Sequence, residues 1–308
     1  MTNYRHKLIN EANAKWWTLG AMCFALFMIM LDNTVVNVAL PSIQRDLGSS
    51  LSSLEWTVNG YTLSFAVFLA TGGRLGDIFG RRRAFLIGVT LFAASSATAG
   101  LAPDTTSLVI SRITQGVGAS LMMPATLSIV TNAFAPHERG KAIGTWAGVS
   151  ALALAIGPVL GGVLTEHVSW RAIFYINIPV AIAAVLATLF AVKESRDETV
   201  GRRVDFAGVG ALTLGLTALV LALIQGNSWG WGSAGIVGLL AGSVVMLGAF
   251  VAIERRVDSP IVEFPLFASR NFVGSNVIAL VVTFAMMAQF FFMALYMQDI
   301  LGLSPLEA

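Results

Sequence analysis

The chain has 308 residues, of which 56% are hydrophobic and 12% charged, with a mean hydropathy of +0.76. Soluble domains carry roughly 25% charged residues, so this composition excludes a secreted disulfide scaffold and a disordered chain, and argues against a soluble enzyme. Lys and Arg outnumber Asp and Glu by only 19 to 17, and the single cysteine, Cys23, has no internal disulfide partner.

A bilayer core takes about 20 mostly apolar residues per helix. Nine runs of that kind follow one another: 17–40, 55–74, 84–102, 107–131, 140–164, 171–192, 206–225, 233–253 and 272–297. Short charged or Gly/Pro-containing segments separate them. The first run is too long for a cleaved signal peptide and lacks a small-residue cleavage site. The pattern predicts an all-α polytopic membrane protein.

Positive residues set orientation in the membrane. With the N-terminus in the cytoplasm, the inner segments hold 16 of the 19 Lys and Arg, the outer loops hold Arg45 and Arg171, and Arg112 lies within a span. Trp16 and Trp17 then mark the inner boundary; Trp56, Trp170, Trp229 and Trp231 mark the outer one. The expected location is the cytoplasmic membrane, multi-pass, with a cytoplasmic N-terminus. The slight basic excess is an orientation signal and implies no nucleic-acid partner.

Two charges fall inside spans, Asp32 and Arg112. Charge at that depth is costly and faces a cavity or a partner. At 1.5 Å per residue, Asp32 lies roughly 12 Å below the outer end of the first run and Arg112 roughly 9 Å below that of the fourth. The matched depth suggests a facing pair: either a titratable carboxylate beside a fixed cation, or a static ion pair. Gln115 shares a helix face with Arg112.

The fifth run carries Gly140, Gly144, Gly148, Gly157, Pro158, Gly161 and Gly162. It reads as a close-packing seam or as a helix bent at Pro158 that controls opening. The stretch Gly73-Arg74-Leu75-Gly76-Asp77-Ile78-Phe79-Gly80-Arg81-Arg82-Arg83 places one acid among four arginines. That is a salt-bridge latch, with Glu138 as a further member, or a solvated loop. The ninth run holds Met286, Met287, Gln289 and Phe290. Soft, polarizable side chains suit a promiscuous apolar surface; lipid-facing packing is the plainer alternative. Trp146 is a similar candidate.

These stretches resemble the major facilitator superfamily, and specifically its fourteen-span drug:proton antiporters. Leu31-Asp32-Asn33-Thr34-Val35-Val36-Asn37-Val38-Ala39-Leu40-Pro41 resembles the first-span signature of that branch. Gly73 to Arg83 is similar to the superfamily's loop between spans two and three. Arg112-Ile113-Thr114-Gln115-Gly116-Val117-Gly118 resembles the fourth-span motif. Gly157-Pro158-Val159-Leu160-Gly161-Gly162 resembles the fifth-span antiporter motif. Trp170 to Pro179 adds a further family-like stretch. Ile78 and Ala153 depart from the usual pattern, at a basic and a glycine position.

The resemblance implies a major facilitator fold with an incomplete C-terminal half. The expected parts are a cytoplasmic tail (1–16), an N-terminal six-helix transport half (17–192), a cytoplasmic linker (193–205), two extra spans (206–253), a cytoplasmic loop (254–271) and the first span of the C-terminal half (272–308), where the chain ends early. It implies a proton-coupled antiporter exporting drugs or other small amphipathic molecules. Asp32 and Arg112 would couple protons. Gln115, Trp146, Met286, Met287, Gln289 and Phe290 would line the substrate cavity. Gly73, Asp77, Arg81, Glu138, Gly157, Pro158 and Gly161 would form the conformational gate. No cofactor and no metal are expected, because the proton gradient drives the cycle. The expected partners are the lipid bilayer, protons, a small-molecule substrate and the remaining C-terminal spans of a longer chain.

Three rivals follow from the same residues. An intramembrane enzyme would need a nucleophile or metal set within a span, yet His6, His137 and His167 all fall in loops. A channel would need no alternating halves. A truncated membrane protein with only an interaction role would need none of the coupling residues.

Overall fold

The computed structural model describes residues 13–196, 205–257, 260–262, 264–296 and 300–301, without the side chains of 51, 52, 287 and 290–295. The tail expected at 1–16 and the linker expected at 193–205 therefore lie largely outside the described residues. The described chain is helical and contains no strand. Its helices are α1 (Ala14–Leu47), α2 (Leu51–Phe79), α3 (Arg81–Gly100), α4 (Thr105–Ala133), α5 (Arg139–His167), α6 (Ala172–Tyr175), α7 (Asn177–Ala191), α8 (Phe206–Trp229), α9 (Ala234–Glu254) and α10 (Arg270–Leu295), with a 3₁₀ turn at Phe264–Ala268.

Each apolar run lies on a helix or, for the sixth, on two in succession. Among the described residues, seven helical segments are long and apolar enough to cross a membrane. Among the described residues, α2 and α10 fall outside that group. Helix α2 carries Glu55, Asn59, Arg74 and Asp77, and the apolar stretch of α10 is described only over Arg270–Met286. The sixth run is split at Ile176 into α6 and α7. Pro179 explains the split: it has no N–H to give the carbonyl four residues back, at Tyr175.

Caps set several helix starts. Ser50, Asp104, Asp205 and Ser233 each accept a backbone N–H from the first turn of the helix that follows. Gly48 ends α1, and Gly80 separates α2 from α3.

The chain divides into two compact units, Met1–Ile261 and Val262–Ala308. In the first, α4 packs on α2 and α3, α1 lies against α5, α7 and α4, and α8 pairs with α9. In the second, Phe267 packs edge-on against Phe272 of α10 at 5.3 Å between ring centroids.

Close helix approach in the first unit runs through particular glycines. A Cβ at Gly116 of α4 would sit 2.5 Å from the Tyr61 carbonyl of α2. Gly157 and Gly161 of α5 lie against Thr34 and Val35 of α1. By contrast, a Cβ at Gly140, Gly144, Gly148 or Gly162 meets no described atom within 4 Å. The packing seam read across the whole fifth run is therefore limited to Gly157 and Gly161. The others lie on faces of α5 turned away from the described helices, while Ala142 and Ala153 share the buried face with Gly157 and Gly161.

The buried apolar residues form two clusters. One gathers Met22, Met28, Ile29, Phe85, Phe92, Ala119 and Ala181; the other gathers Leu31, Val35, Leu54, Ala99, Leu108 and Phe174. A buried polar residue falls at the junction of the two clusters on five of the helices: Asp32 on α1, Thr57 on α2, Ser96 on α3, Arg112 and Gln115 on α4, and Asn177 at the start of α7; α5 joins both clusters, through Ala142 and Ala153, without adding to this set. The bundle thus has one polar stratum between two apolar layers.

Candidate functional site

The stratum is a single hydrogen-bond network. Arg112 Nη1 donates to Asp32 Oδ2 at 2.5 Å and to Gln115 Oε1 at 2.7 Å, while its Nε donates to the Thr57 carbonyl at 3.0 Å. Asp32 Oδ1 accepts from Gln115 Nε2 and Asn177 Nδ2, both at 2.9 Å. Ser96 Oγ accepts from the same two amides at 2.7 and 3.0 Å. The Arg112 guanidinium also lies 4.3 Å from the centroid of the Tyr61 ring, a cation–π contact.

Asp32 and Arg112 are 2% and 1% exposed, so the pair is held out of solvent. A carboxylate in that position accepts hydrogen bonds and donates none. Arg112, Gln115 and Asn177 all donate to it. A proton added at Oδ2 would set an O–H against the Arg112 N–H, with no acceptor between them.

The matched depth of Asp32 and Arg112 and the shared face of Arg112 and Gln115 were legible in the sequence. Asn177, Ser96 and Tyr61 were not assigned to the site. Their signal was available, since each is a polar group inside an apolar run. Ser96 and Asn177 gave no spacing cue because they come from separate helices.

The other expected residues are dispersed. Trp146 is half-buried and donates through Nε1 to Thr126 Oγ1 at 3.3 Å, packing on the first apolar cluster. Met286 and Gln289 are exposed on α10, which belongs to the second unit. The side chains of Met287 and Phe290 lie outside the described residues. A Cβ at Gly73 would make only ordinary contact with Pro124, at 3.5 Å, and Pro158 sits within α5.

The gate charges separate into two groups. Arg81 pairs with Asp77 one helical turn away, at 2.9 Å. Glu138 takes Lys15 of α1, at 2.6 Å, rather than the arginines of the 73–83 stretch. Its place just before α5 brings it to the start of α1, where Trp16 also meets Phe134 edge-on at 5.2 Å. A third acid, Glu194, completes the α2–α3 corner. Its Oε1 accepts the Arg82 N–H at 3.0 Å, and the Ser195 carbonyl accepts the Arg81 N–H at 2.8 Å. Gly80 makes this possible. Its φ is +113°, and a Cβ there would sit 2.6 Å from the Glu194 carboxylate. At the far end of the bundle, Asp46 accepts from Trp170 Nε1 at 2.9 Å and from Arg171 Nη1 at 2.5 Å. Among the described residues no group of three or more His, Cys, Asp or Glu is placed to hold a metal.

Hydrogen bonding from Lys15 holds the Glu138 carboxyl below the usual carboxylate range, and the charges of Lys15 and His137 act in the same direction. A carboxyl depressed in the folded state stabilises the fold above its unfolded pKa of about 4.3 and loses that contribution as pH falls through the lower folded value. Thermal melts of the wild type and Glu138→Gln are expected to differ at neutral pH. The two should converge between about pH 5 and about pH 3. A gap that stays constant across that range would remove Glu138 as the source.

Residues 22–308 match the Major Facilitator Superfamily, so the chain belongs to that superfamily. Together with the seven helices of spanning length and apolarity, this makes it a multi-pass membrane protein. The chain is 38% identical over 293 residues to the tetracenomycin C resistance and export protein of Streptomyces glaucescens, covering 95% of this chain and 54% of that protein. It is 41% identical over 294 residues to puromycin resistance protein pur8 of Streptomyces alboniger, covering 94% and 58%. It is 37% identical over 289 residues to multidrug resistance protein Stp of Mycobacterium tuberculosis, covering 94% and 54%. The chain thus spans about half the length of the curated relatives it matches.

Proposed function

We propose that this chain belongs to a proton-coupled antiporter of the fourteen-span drug-exporting branch, which moves small amphipathic organic molecules out across the cytoplasmic membrane. The reading is carried by one observation: Asp32 and Arg112 form a fully buried ion pair between two apolar layers. Two relatives, the tetracenomycin C resistance and export protein and puromycin resistance protein pur8, support the substrate class.

In the proposed cycle, a proton from outside neutralises Asp32 and releases it from Arg112. The helices α1 and α4 that carry the pair then lose their strongest cross-link, which favours the inward-open state. Loss of the proton to the cytoplasm restores the pair and drives the bound molecule outward. In this reading residues 17–192 are the transport half, 206–253 the two added spans and 272–308 the start of the second half, with the N-terminus cytoplasmic. Gln115 and Trp146 border the substrate path. Asp77, Arg81, Glu138 and the Gly157–Gly161 segment take part in closing it. The two six-helix halves rock about this site, as expected for inverted-repeat transporters.

The test is transport by the full-length protein in everted membrane vesicles. With an acidic lumen, the vesicles are expected to accumulate a cationic dye such as ethidium, and a protonophore should abolish the accumulation. Uptake that persists after collapse of the gradient would sink the antiport reading.

A further inference from the structure

Two hydroxyls of the polar stratum take no part in its hydrogen bonding. Thr57 is fully buried and Tyr61 is 2% exposed. Neither Thr57 Oγ1 nor Tyr61 Oη has a hydrogen-bond partner among the described residues. Buried hydroxyls without partners are costly, so such atoms call for an explanation.

Their placement supplies one. The two residues are one turn apart on one face of α2, with Cβ atoms about 5–6 Å apart. Long side chains on a helix lean toward its N-terminus, the direction in which Thr57 lies from Tyr61. Arg112 spans both residues: its Nε bonds the Thr57 carbonyl and its guanidinium covers the Tyr61 ring. A water bridging two hydroxyls needs oxygens no more than about 5.5 Å apart, twice the usual O–H···O length. A polar site with several partners is where buried water belongs.

We propose that Thr57 Oγ1 and Tyr61 Oη bind a buried water beside the Arg112 guanidinium, and that this water relays the proton to Asp32. The water accepts a proton arriving from the outer side and gives one of its own onward, so an O–H bond of the water breaks as the O–H on Asp32 Oδ2 forms. The water is regenerated and one proton has moved. A groove of about 230 Å³, lined in part by Ser53, Trp56, Thr105 and Thr106, opens one turn from Thr57 on α2 and does not reach the two hydroxyls. Ser53 lies one turn before Thr57 on α2. Thr57 and Tyr61 are positioning residues here. The relay rests on the reading of Asp32 as the proton site; the water site does not.

The experiment uses purified full-length protein with Thr57→Val, Tyr61→Phe and both together. Valine keeps the shape of threonine, and phenylalanine keeps the ring under Arg112. If the water is bound, no variant melts above the wild type, and the two changes are non-additive because either one ejects the same water. If the site is dry, each change removes an unsatisfied group, each raises the melting temperature and the increases add; that result overturns the water site. In everted vesicles, the double variant is expected to slow proton-driven dye uptake at least roughly tenfold, while Thr57→Ser stays near the wild-type rate. An unchanged rate in the double variant, with Asp32→Asn inactive, overturns the relay alone. An unchanged rate in Asp32→Asn overturns the proton-site reading and the relay with it.

Discussion

Asp32→Asn in the full-length protein is expected to abolish proton-coupled export while leaving membrane insertion intact. The amide cannot carry the charge that alternates with a proton in the proposed cycle. Its NH₂ group also adds a donor to a position already faced by Arg112, Gln115 and Asn177. Arg112 is then left buried with its charge unmatched. Removing one member of a buried pair costs roughly 3–5 kcal/mol, so the variant should also melt well below the wild type in detergent. Arg112→Met should produce a loss of similar size by stranding the carboxylate. Asp32→Glu keeps the charge on a longer arm and is expected to retain partial coupling. Substrate-dependent proton flux in vesicles separates these outcomes. Normal flux in Asp32→Asn would remove this residue from the mechanism.

The second large effect is expected at Gly157. An alanine there would drive its Cβ into the Thr34 side chain of α1, whose own Cβ lies 2.8 Å away. Thr34 is tied to its helix through the Met30 and Leu31 carbonyls, so it cannot turn aside freely. Overpacking of this kind costs about 1–3 kcal/mol, and it falls on the α1–α5 contact. Gly140→Ala and Gly144→Ala supply the contrast, because those positions meet no described atom within 4 Å. Replacing an open helical glycine by alanine gains roughly 0.5–1 kcal/mol. Melting temperatures should therefore move in opposite directions along a single helix. A uniform loss across all three positions would contradict the assignment of the seam to Gly157 and Gly161.

Apolar run length carried most of the fold, because a bilayer-spanning helix must satisfy its own backbone and present an apolar surface. The edges were less visible. Helix α1 runs from Ala14 to Leu47, past the apolar run at both ends, since polar residues can continue a helix beyond the hydrocarbon. The central pair was legible because charge is rare at that depth, and two such residues at matched levels have few other partners. Asn177 and Ser96 were harder to assign, since uncharged polar residues occur in many spans without meeting a site. The pairing of Glu138 with Lys15 depends on how α1 and the start of α5 meet, and no spacing between residues 123 positions apart reports that. Glu194 closing on Gly80 is of the same kind.

The placement of the polar residues between two apolar clusters has a consequence for leakage. Ions and water approaching from either face meet a hydrocarbon plug first, one built around Phe85, Phe92 and Met122, the other around Leu108, Trp170 and Phe174. Each plug is a separate insulator in series with the other. A bundle built this way keeps its buried ion pair behind apolar packing on both sides.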